Sequence, residues 1–204
     1  MSSRGWAGLK LAAYRMTMVV SPPAPPLTDG LVTLRPWGEE GDVEALVDAC
    51  NDRAIAEFLD LIPQPYTKSD ALAYLAVTRE GWAAGTTTNF AVVTDGPPIG
   101  SIGARWLREP EDGVEVGYWI AAQARGQGLC TRALRLVTRW LLEEHGAMRV
   151  QLRADEENAA SKKVAENAGF TREGVLRSSR YNARLDRRVD FVMYSLLPGE
   201  LPQS

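Results

Sequence analysis

Residues 123–128 read Gln-Ala-Arg-Gly-Gln-Gly and lie between a strand-like run, Val114–Ile120, and a helix-like run beginning at Leu129. A glycine turn at that point gathers main-chain N–H groups from Arg125 through Gly126, Gln127, Gly128 and Leu129 to Cys130 at a helix N-terminus. The missing intrahelical partners and the helix dipole together favour an anion there, and phosphate is the default ligand. Asn158 directly precedes another helix-like segment, as an N-cap residue does, and Ser161 places a hydroxyl in the first turn of that segment. Glu115, at the start of the strand-like run, is a carboxylate, a residue type that can serve as a general base. Glycine pairs also serve in plain tight loops, so the anion has to be identified from the surroundings.

Spacing removes two phosphate-binding chemistries. A P-loop needs a lysine followed by Ser or Thr after its last glycine, whereas Gly128 is followed by Leu129-Cys130-Thr131. A dinucleotide fingerprint wants a third small residue at position 131 and an acid about 20 positions on, past a second strand. Position 131 is Thr, and Asp155 comes too late. Cys50 and Cys130 lack metal-type spacing and the single histidine, His145, has no histidine partner, which argues against structural zinc and against a Ser-His-Asp triad.

Around these residues stands an ordinary globular composition. With 204 residues, 45% hydrophobic and 24% charged, the chain suffices for one sizeable core. A formal charge of -3 gives no global attraction to nucleic acid or to anionic membranes, so neither is expected as a partner. The apolar stretch near the beginning is broken by Lys10 and Arg15 and has no convincing signal-peptide core, so a cytoplasmic protein is expected. Residues 1–27 are expected to form a flexible, proline-rich leader and 28–204 a single domain. Met16 and Met18 precede the proline run, and translation is expected to start at one of them; an intact mass that includes Met1 to Arg15 would refute this.

The periodicity gives an element order. LVTLRPW alternates like a strand from Leu31, and helical spacing follows through Val43, Leu46 and Val47 and again around AIAEFL. Thr67 or Ser69 caps a further helix, DALAYLAVTREGWAAG. Two apolar runs joined by TDGPP read as a hairpin, and VEVGYWI as another strand. After the glycine turn, Leu129, Ala133, Leu136, Val137, Trp140 and Leu141 share one helical face. RVQLRAD is a strand, NAASKKVAENAGF a helix ended by Gly169, and FTREGVLRSS and RRVDFVMYSLL are strands. The sum is an α/β (α+β) domain around a mixed sheet.

Gln123 to Gly128 resembles the Q/R-x-x-G-x-G/A motif of the GCN5-related N-acetyltransferases, in the same place between a central strand and a long helix. VEVGYWI resembles the E-x-G-Y-W-I strand of the RimJ/RimL-type branch, and NAASKKVAENAGFTREGVLRSS resembles its N-x-x-S helix and G-F-x-x-E-G turn. The resemblance extends over roughly residues 29–198. It implies a mostly antiparallel sheet splayed at its centre and flanked by helices, with acetyl-CoA as cosubstrate and no metal.

By the same resemblance the pantetheine arm enters between VEVGYWI and RVQLRAD, against main-chain groups of Trp119, Ile120 and Ala121, and an N–H near Trp119 or Ile120 holds the acetyl oxygen. Asn158 binds the pantetheine as well as capping its helix, and Ser161 lies near the leaving sulfur. Arg125 either adds charge at the pyrophosphate or is solvated, Gln123 closes the turn, and Lys162 and Lys163 either reach a phosphate or lie in solvent. Cys130 is read as a small helix residue and the side chains of Tyr118 and Trp119 as core. Glu115 is the candidate base, or else a strand-edge acid that attracts the cationic amine or pairs with an arginine; Glu57 is a weaker candidate for lining the acceptor cleft, and Tyr181 a candidate proton donor. Arg177, Arg180, Arg184, Arg187 and Arg188 form a basic cluster on the last strand pair, read as a solvated hairpin or as a site for acidic groups.

No residue of the expected cleft has the partners that activate a covalent nucleophile, so direct attack of an amine in a ternary complex is expected. The acceptor is a protein or peptide N-terminal amine. The alternatives are a small amine such as an amino sugar, polyamine or antibiotic, or a non-catalytic role in sensing acyl-CoA. A monomer or a homodimer fits equally.

Overall fold

The computed structural model describes residues 20–107 and 113–202. Eight strands form one sheet, β1 Leu27–Thr28, β2 Thr33–Pro36, β3 Thr87–Val93, β4 Gly100–Trp106, β5 Val114–Ile120, β6 Val150–Asp155, β7 Thr171–Asn182 and β8 Arg187–Leu196. Their spatial order is β1-β2-β3-β4-β5-β6-β8-β7. Every neighbouring pair is antiparallel except β5 and β6. Among the described residues five α-helices accompany the sheet: α1 Asp42–Cys50, α2 Arg53–Phe58, α3 Lys68–Ala84, α4 Leu129–Glu143 and α5 Ala159–Asn167. The expected mixed, mostly antiparallel sheet with flanking helices is what the chain forms.

Local chemistry accounts for the element ends. Thr67, one of the two expected caps, opens α3 with a capping box: its side chain accepts from the Asp70 N–H while the Asp70 carboxylate accepts from the Thr67 N–H. Gly169, at φ 95°, closes α5, with the Phe170 N–H bonded to the Ala165 carbonyl and the Gly169 N–H to the Glu166 carbonyl.

The apolar face of α4 lies across the centre of the sheet. Leu129, Ala133, Val137, Trp140 and Leu141 are buried there together with Phe90, Ile102, Val114 and Val116. Trp140 is 2% exposed and meets the Phe90 ring edge-on, with centroids 5.5 Å apart; its truncation to alanine would cost about 3–5 kcal/mol. On the other face, α1 and the first half of α3 enclose a smaller core of Leu46, Cys50, Tyr66 and Ala71, with Trp37, Tyr74 and Trp119 packed against it. Asp42, fully buried, clamps α1 to β2 through a bidentate pair with Arg35 at 2.7 and 2.9 Å.

The expected leader requires a correction at its C-terminal end. Val20 is 1% exposed within the main core, and Leu27 and Thr28 pair with Leu34 and Thr33 as β1, so the stretch from Val20 onward is folded onto the domain. The expectations for Met1 to Val19, including the start at Met16 or Met18, lie outside the described residues.

Candidate active site

Strands β5 and β6 pair only at Val114 with Val150 and Glu115 with Gln151. Both strands continue, to Ile120 and to Asp155, without partnering each other. Their unpaired ends lead to the turn at 123–128 and to the N-terminus of α5, where the resemblance placed a cofactor.

The direction of each main-chain group follows from the ladder. The Ala121 N–H bonds the Ile99 carbonyl on the β4 side, and the Val114 N–H bonds the Arg149 carbonyl on the β6 side. Alternation then turns Val116, Tyr118 and Ile120 toward the gap and Glu115, Trp119 and Ala121 toward β4. Of the three residues expected to face the pantetheine, Ile120 therefore does so through its main chain, and Trp119 and Ala121 do not. Tyr118 takes their place. On the opposite strand the Glu156 N–H bonds Asp190 on β8, which by the same alternation leaves the main-chain groups of Arg153 facing the gap.

At the turn, Gly126 and Gly128 both have φ 75°, a conformation that a side chain strains. A Cβ at either position would meet nothing within 4 Å, so space is open in front of both. Gly128 is the N-cap of the 15-residue α4, and no side chain caps that helix. Its first-turn N–H groups at Leu129, Cys130 and Thr131 precede the first intrahelical bond, from the Arg132 N–H to the Gly128 carbonyl at 3.1 Å. Open space, converging donors and the dipole suit a diphosphate.

Two neighbouring side chains behave differently from expectation. Arg125 pairs with Asp52, the α2 N-cap, at 2.6 Å and donates to the Ile120 carbonyl at 3.2 Å, and so ties the turn to α2. Gln127, rather than Gln123, closes the turn with its side chain, donating to the Gln123 carbonyl at 3.0 Å. Lys162 donates to the Glu156 carbonyl at 2.7 Å.

Asn158 caps α5, its side-chain oxygen accepting from the Ser161 N–H at 2.9 Å. The Ser161 hydroxyl lies 3.1 Å from that of Tyr118, and the phenol also donates to the Ser161 carbonyl at 3.1 Å. Tyr118 thus spans from β5 to the helix that follows β6. Burial pushes its pKa up, with the Cys130 thiol adding to the effect, so the phenol stays protonated. Sequence reasoning placed Tyr118 in the core; the signal for its role was its parity with Val114 and Val116 combined with a polar tip.

Glu115 accepts from Arg153 at 2.8 Å and from Arg105 at 3.0 Å. Burial alone would raise its pKa, but the hydrogen bonds and charges of Arg153 and Arg105 outweigh this and hold it below the usual carboxylate value. Glu115 is thus paired with two arginines, as the second of its two expected readings has it. Its side chain shares a sheet face with Gly117 and Trp119. Gly117 is exposed and a Cβ there would meet nothing within 4 Å, which leaves an approach to the gap over its main chain.

The remaining candidates lie outside the gap. Tyr181, half-exposed, bonds Asp186 within the β7–β8 hairpin. Glu57 lines a polar cavity of about 400 Å³ with Asn51, Arg53, Gln64 and Arg184. The basic cluster is largely engaged: Arg180 with Asp60, Arg184 with the Ile62 carbonyl, Arg187 with Glu157 and Arg188 with Ser178. Among the described residues no group of three His, Cys, Asp or Glu stands together as a metal site, and no helix is long and apolar enough to cross a membrane.

Residues 32–171 match the family model of the acetyltransferase (GNAT) domain. The chain belongs to that family. It is 36% identical over 106 residues to YdaF of Bacillus subtilis, a protein provisionally named a ribosomal N-acetyltransferase. That match covers 52% of this chain and 57% of YdaF, so it spans just over half of the relative's length. A crystal structure described as a probable acetyltransferase superposes with a TM-score of 0.73 at 28% identity, over 84% of this chain and 96% of the other. RimL, a ribosomal L7/L12 alpha-N-protein acetyltransferase solved with coenzyme A, gives 0.74 at 19% identity over 84% and 96%, a likeness of fold.

Proposed function

We propose that this GNAT domain moves the acetyl group of acetyl-CoA to the N-terminal amine of a protein or peptide by direct attack in a ternary complex. The observation that carries this reading is the gap beyond Glu115 and Gln151, where the main-chain groups of the two strands no longer bond each other and which leads to the uncapped glycine turn. In it the diphosphate is held by the N–H groups from Gly126 to Cys130, and the pantetheine runs along Ile120, Tyr118 and Arg153 as a surrogate strand. The acetyl oxygen takes a hydrogen bond from the Ile120 or Tyr118 N–H, which strengthens as charge develops on it.

The amine nitrogen attacks the thioester carbon, the tetrahedral intermediate collapses, the C–S bond breaks, and the amine loses one proton while the sulfur gains one. The Ser161 and Tyr118 hydroxyls supply the proton to sulfur. Glu115 lies three residues, roughly 10 Å, along the strand from Tyr118, so the amine proton reaches it or bulk solvent through water. Burial pushes the Cys130 thiol up to about 12 and the Cys50 thiol up to about 11, which disfavours either as an acyl-carrying thiolate.

The weakness of Glu115 as a base favours an α-amine. With a pKa near 8, roughly one α-amine in ten is neutral at pH 7, against about one lysine amine in 2,500. The test is a mass-spectrometric screen of acetyl-CoA against short peptides and small amines. Acetylated peptide N-termini support the reading, acetylation confined to small amines reassigns the acceptor, and coenzyme A binding without any acetyl transfer removes it.

A further inference from the structure

We infer that the acceptor residue bearing the amine is selected by an uncharged apolar side chain of leucine or methionine size, held in the chamber beside Trp119. This rests on the acetyl-transfer reading above and adds the chemistry of the first residue. The chamber measures about 240 Å³ and is walled by Leu46, Cys50, Ile62, Tyr66, Tyr74 and Trp119. Its connection to the reacting centre is Trp119 itself. The flanking residues Tyr118 and Ile120 turn their N–H groups into the gap, while the Trp119 side chain forms a chamber wall on the same sheet face as the open space over Gly117. An amine entering over Gly117 therefore has its substituent directed along Trp119.

The aromatic walls are uncharged and fixed. Trp37 stacks on Trp119 at 6.4 Å and 30°, and the Trp37 N–H and the Tyr74 hydroxyl both bond the Ser101 hydroxyl, at 3.3 and 3.1 Å. Asn51 holds the Tyr66 main chain from both sides, at 2.9 Å each. The one carboxylate that borders the chamber, Asp70, is engaged by the Thr67 N–H and hydroxyl as part of the α3 capping box. A buried aspartate side chain would find no counter-charge there, and a lysine only the Asp70 carboxylate at the border, already engaged by Thr67, which disfavours charged first residues. At the rim Leu61 is 87% exposed, so the mouth too is apolar. The volume falls below the roughly 300–1,000 Å³ of sites for drug-sized molecules, and a single side chain suits it better than a ring system.

The experiment compares peptides identical except for the first residue (Leu, Met, Ala, Ser, Lys and Asp), together with leucinamide and alaninamide, by kcat/KM at saturating acetyl-CoA. Leu and Met should exceed Ala and Ser roughly tenfold or more, since each added methylene in an apolar pocket discriminates by about tenfold or better. The variant Ala73→Trp changes an exposed α3 position at the chamber, which spares folding, and should erase or reverse that ranking with the KM for acetyl-CoA unchanged. A flat ranking, a preference for small or charged residues, or an unaltered ranking in Ala73→Trp would overturn the inference. Saturation-transfer NMR reads the same chamber without turnover. Stronger transfer to leucinamide methyls than to alaninamide, lost in Ala73→Trp, upholds it, and no transfer sinks it. Absence of all acetylation alongside clear leucinamide binding would count against acetyl transfer alone.

Discussion

The hydroxyls of Tyr118 and Ser161 lie 3.1 Å apart, and the phenol donates to the Ser161 carbonyl at the same distance, so the serine proton is directed at the phenol oxygen. A thiolate forming in the gap would compete for that proton, and the phenol, kept protonated by burial, could replace it. Ser161→Ala and Tyr118→Phe should each lower kcat by about a hundredfold, the range of general acid catalysis. Because the two act as a unit, the double variant should fall little further. Steady-state kinetics on all three decide the point; full additivity would mean that the contact only packs the first turn of α5.

Gly126→Val and Gly128→Val should each weaken acetyl-CoA binding more than tenfold. Left-handed backbone costs a non-glycine residue about 1–2 kcal/mol, and the new side chain would occupy the space in front of the turn. Calorimetric titration of the folded variants measures this, and unchanged affinity in both would place the cosubstrate elsewhere.

How much of this could be read in the chain alone differs from group to group. The helices and strands followed from periodicity, and the Asn158 cap from its place before a helical run, because those signals are local. The gap itself came through the family resemblance. Which main-chain groups face it depends on the register of β4 against β5, fixed by partners as distant as Ile99 and Arg149, and so Trp119 and Ala121 were expected where Tyr118 stands. Arg125 likewise looked free to meet phosphate until Asp52, 73 positions away in sequence, claimed it. Val20 carries no periodic signal among prolines, yet it fills the core.

The pH dependence should belong to the acceptor. Arg153 and Arg105 keep Glu115 ionised well below neutrality, so it does not change charge between pH 6 and 9. The rate should rise with pH as the acceptor amine loses its proton, with an inflection that moves when an amine of different pKa is used. Glu115→Gln should lower kcat/KM by a similar factor across that range. An inflection fixed by the enzyme, present in wild type and lost in Glu115→Gln, would restore Glu115 as a base with a pKa tuned near neutrality.

Glu173 gives a stability signature remote from the site. It meets Arg149 through two bonds of 2.6 Å and accepts from the Ser195 hydroxyl at 2.7 Å, and these hold its pKa at about 2 against an ordinary 4.5. A depressed carboxylate contributes fully above its unfolded value and loses that contribution as pH falls through its folded value. Denaturant melts should therefore show Glu173→Gln less stable than wild type by a constant amount above pH 4.5, with the difference shrinking toward pH 2. A difference independent of pH would assign the contact to packing.

Asp60 joins the two walls beside the acceptor approach. Its side chain is 4% exposed, pairs with Arg180 on β7 and accepts from the Ala183 N–H at 3.2 Å, while Arg184 on the same hairpin donates to the Ile62 carbonyl at 2.8 Å and Asn182 to the Glu57 carbonyl at 3.2 Å. The segment from Glu57 to Ile62 forms part of both cavities, so the hairpin sets its position over the chamber beside Trp119. Asp60→Ala leaves the Arg180 guanidinium without its carboxylate and should destabilise the fold by about 2 kcal/mol, within the range for hydrogen bonds to charged groups. The glycine turn and the gap lie on other elements, so acetyl-CoA affinity should hold while the KM for peptide acceptors rises severalfold. Arg184→Ala should act in the same direction and more weakly, having one neutral carbonyl to lose. Denaturant titration, calorimetry with acetyl-CoA and acceptor kinetics on both variants separate these effects, and equal losses in acetyl-CoA binding and acceptor KM would show that the hairpin supports the whole domain instead of the acceptor wall.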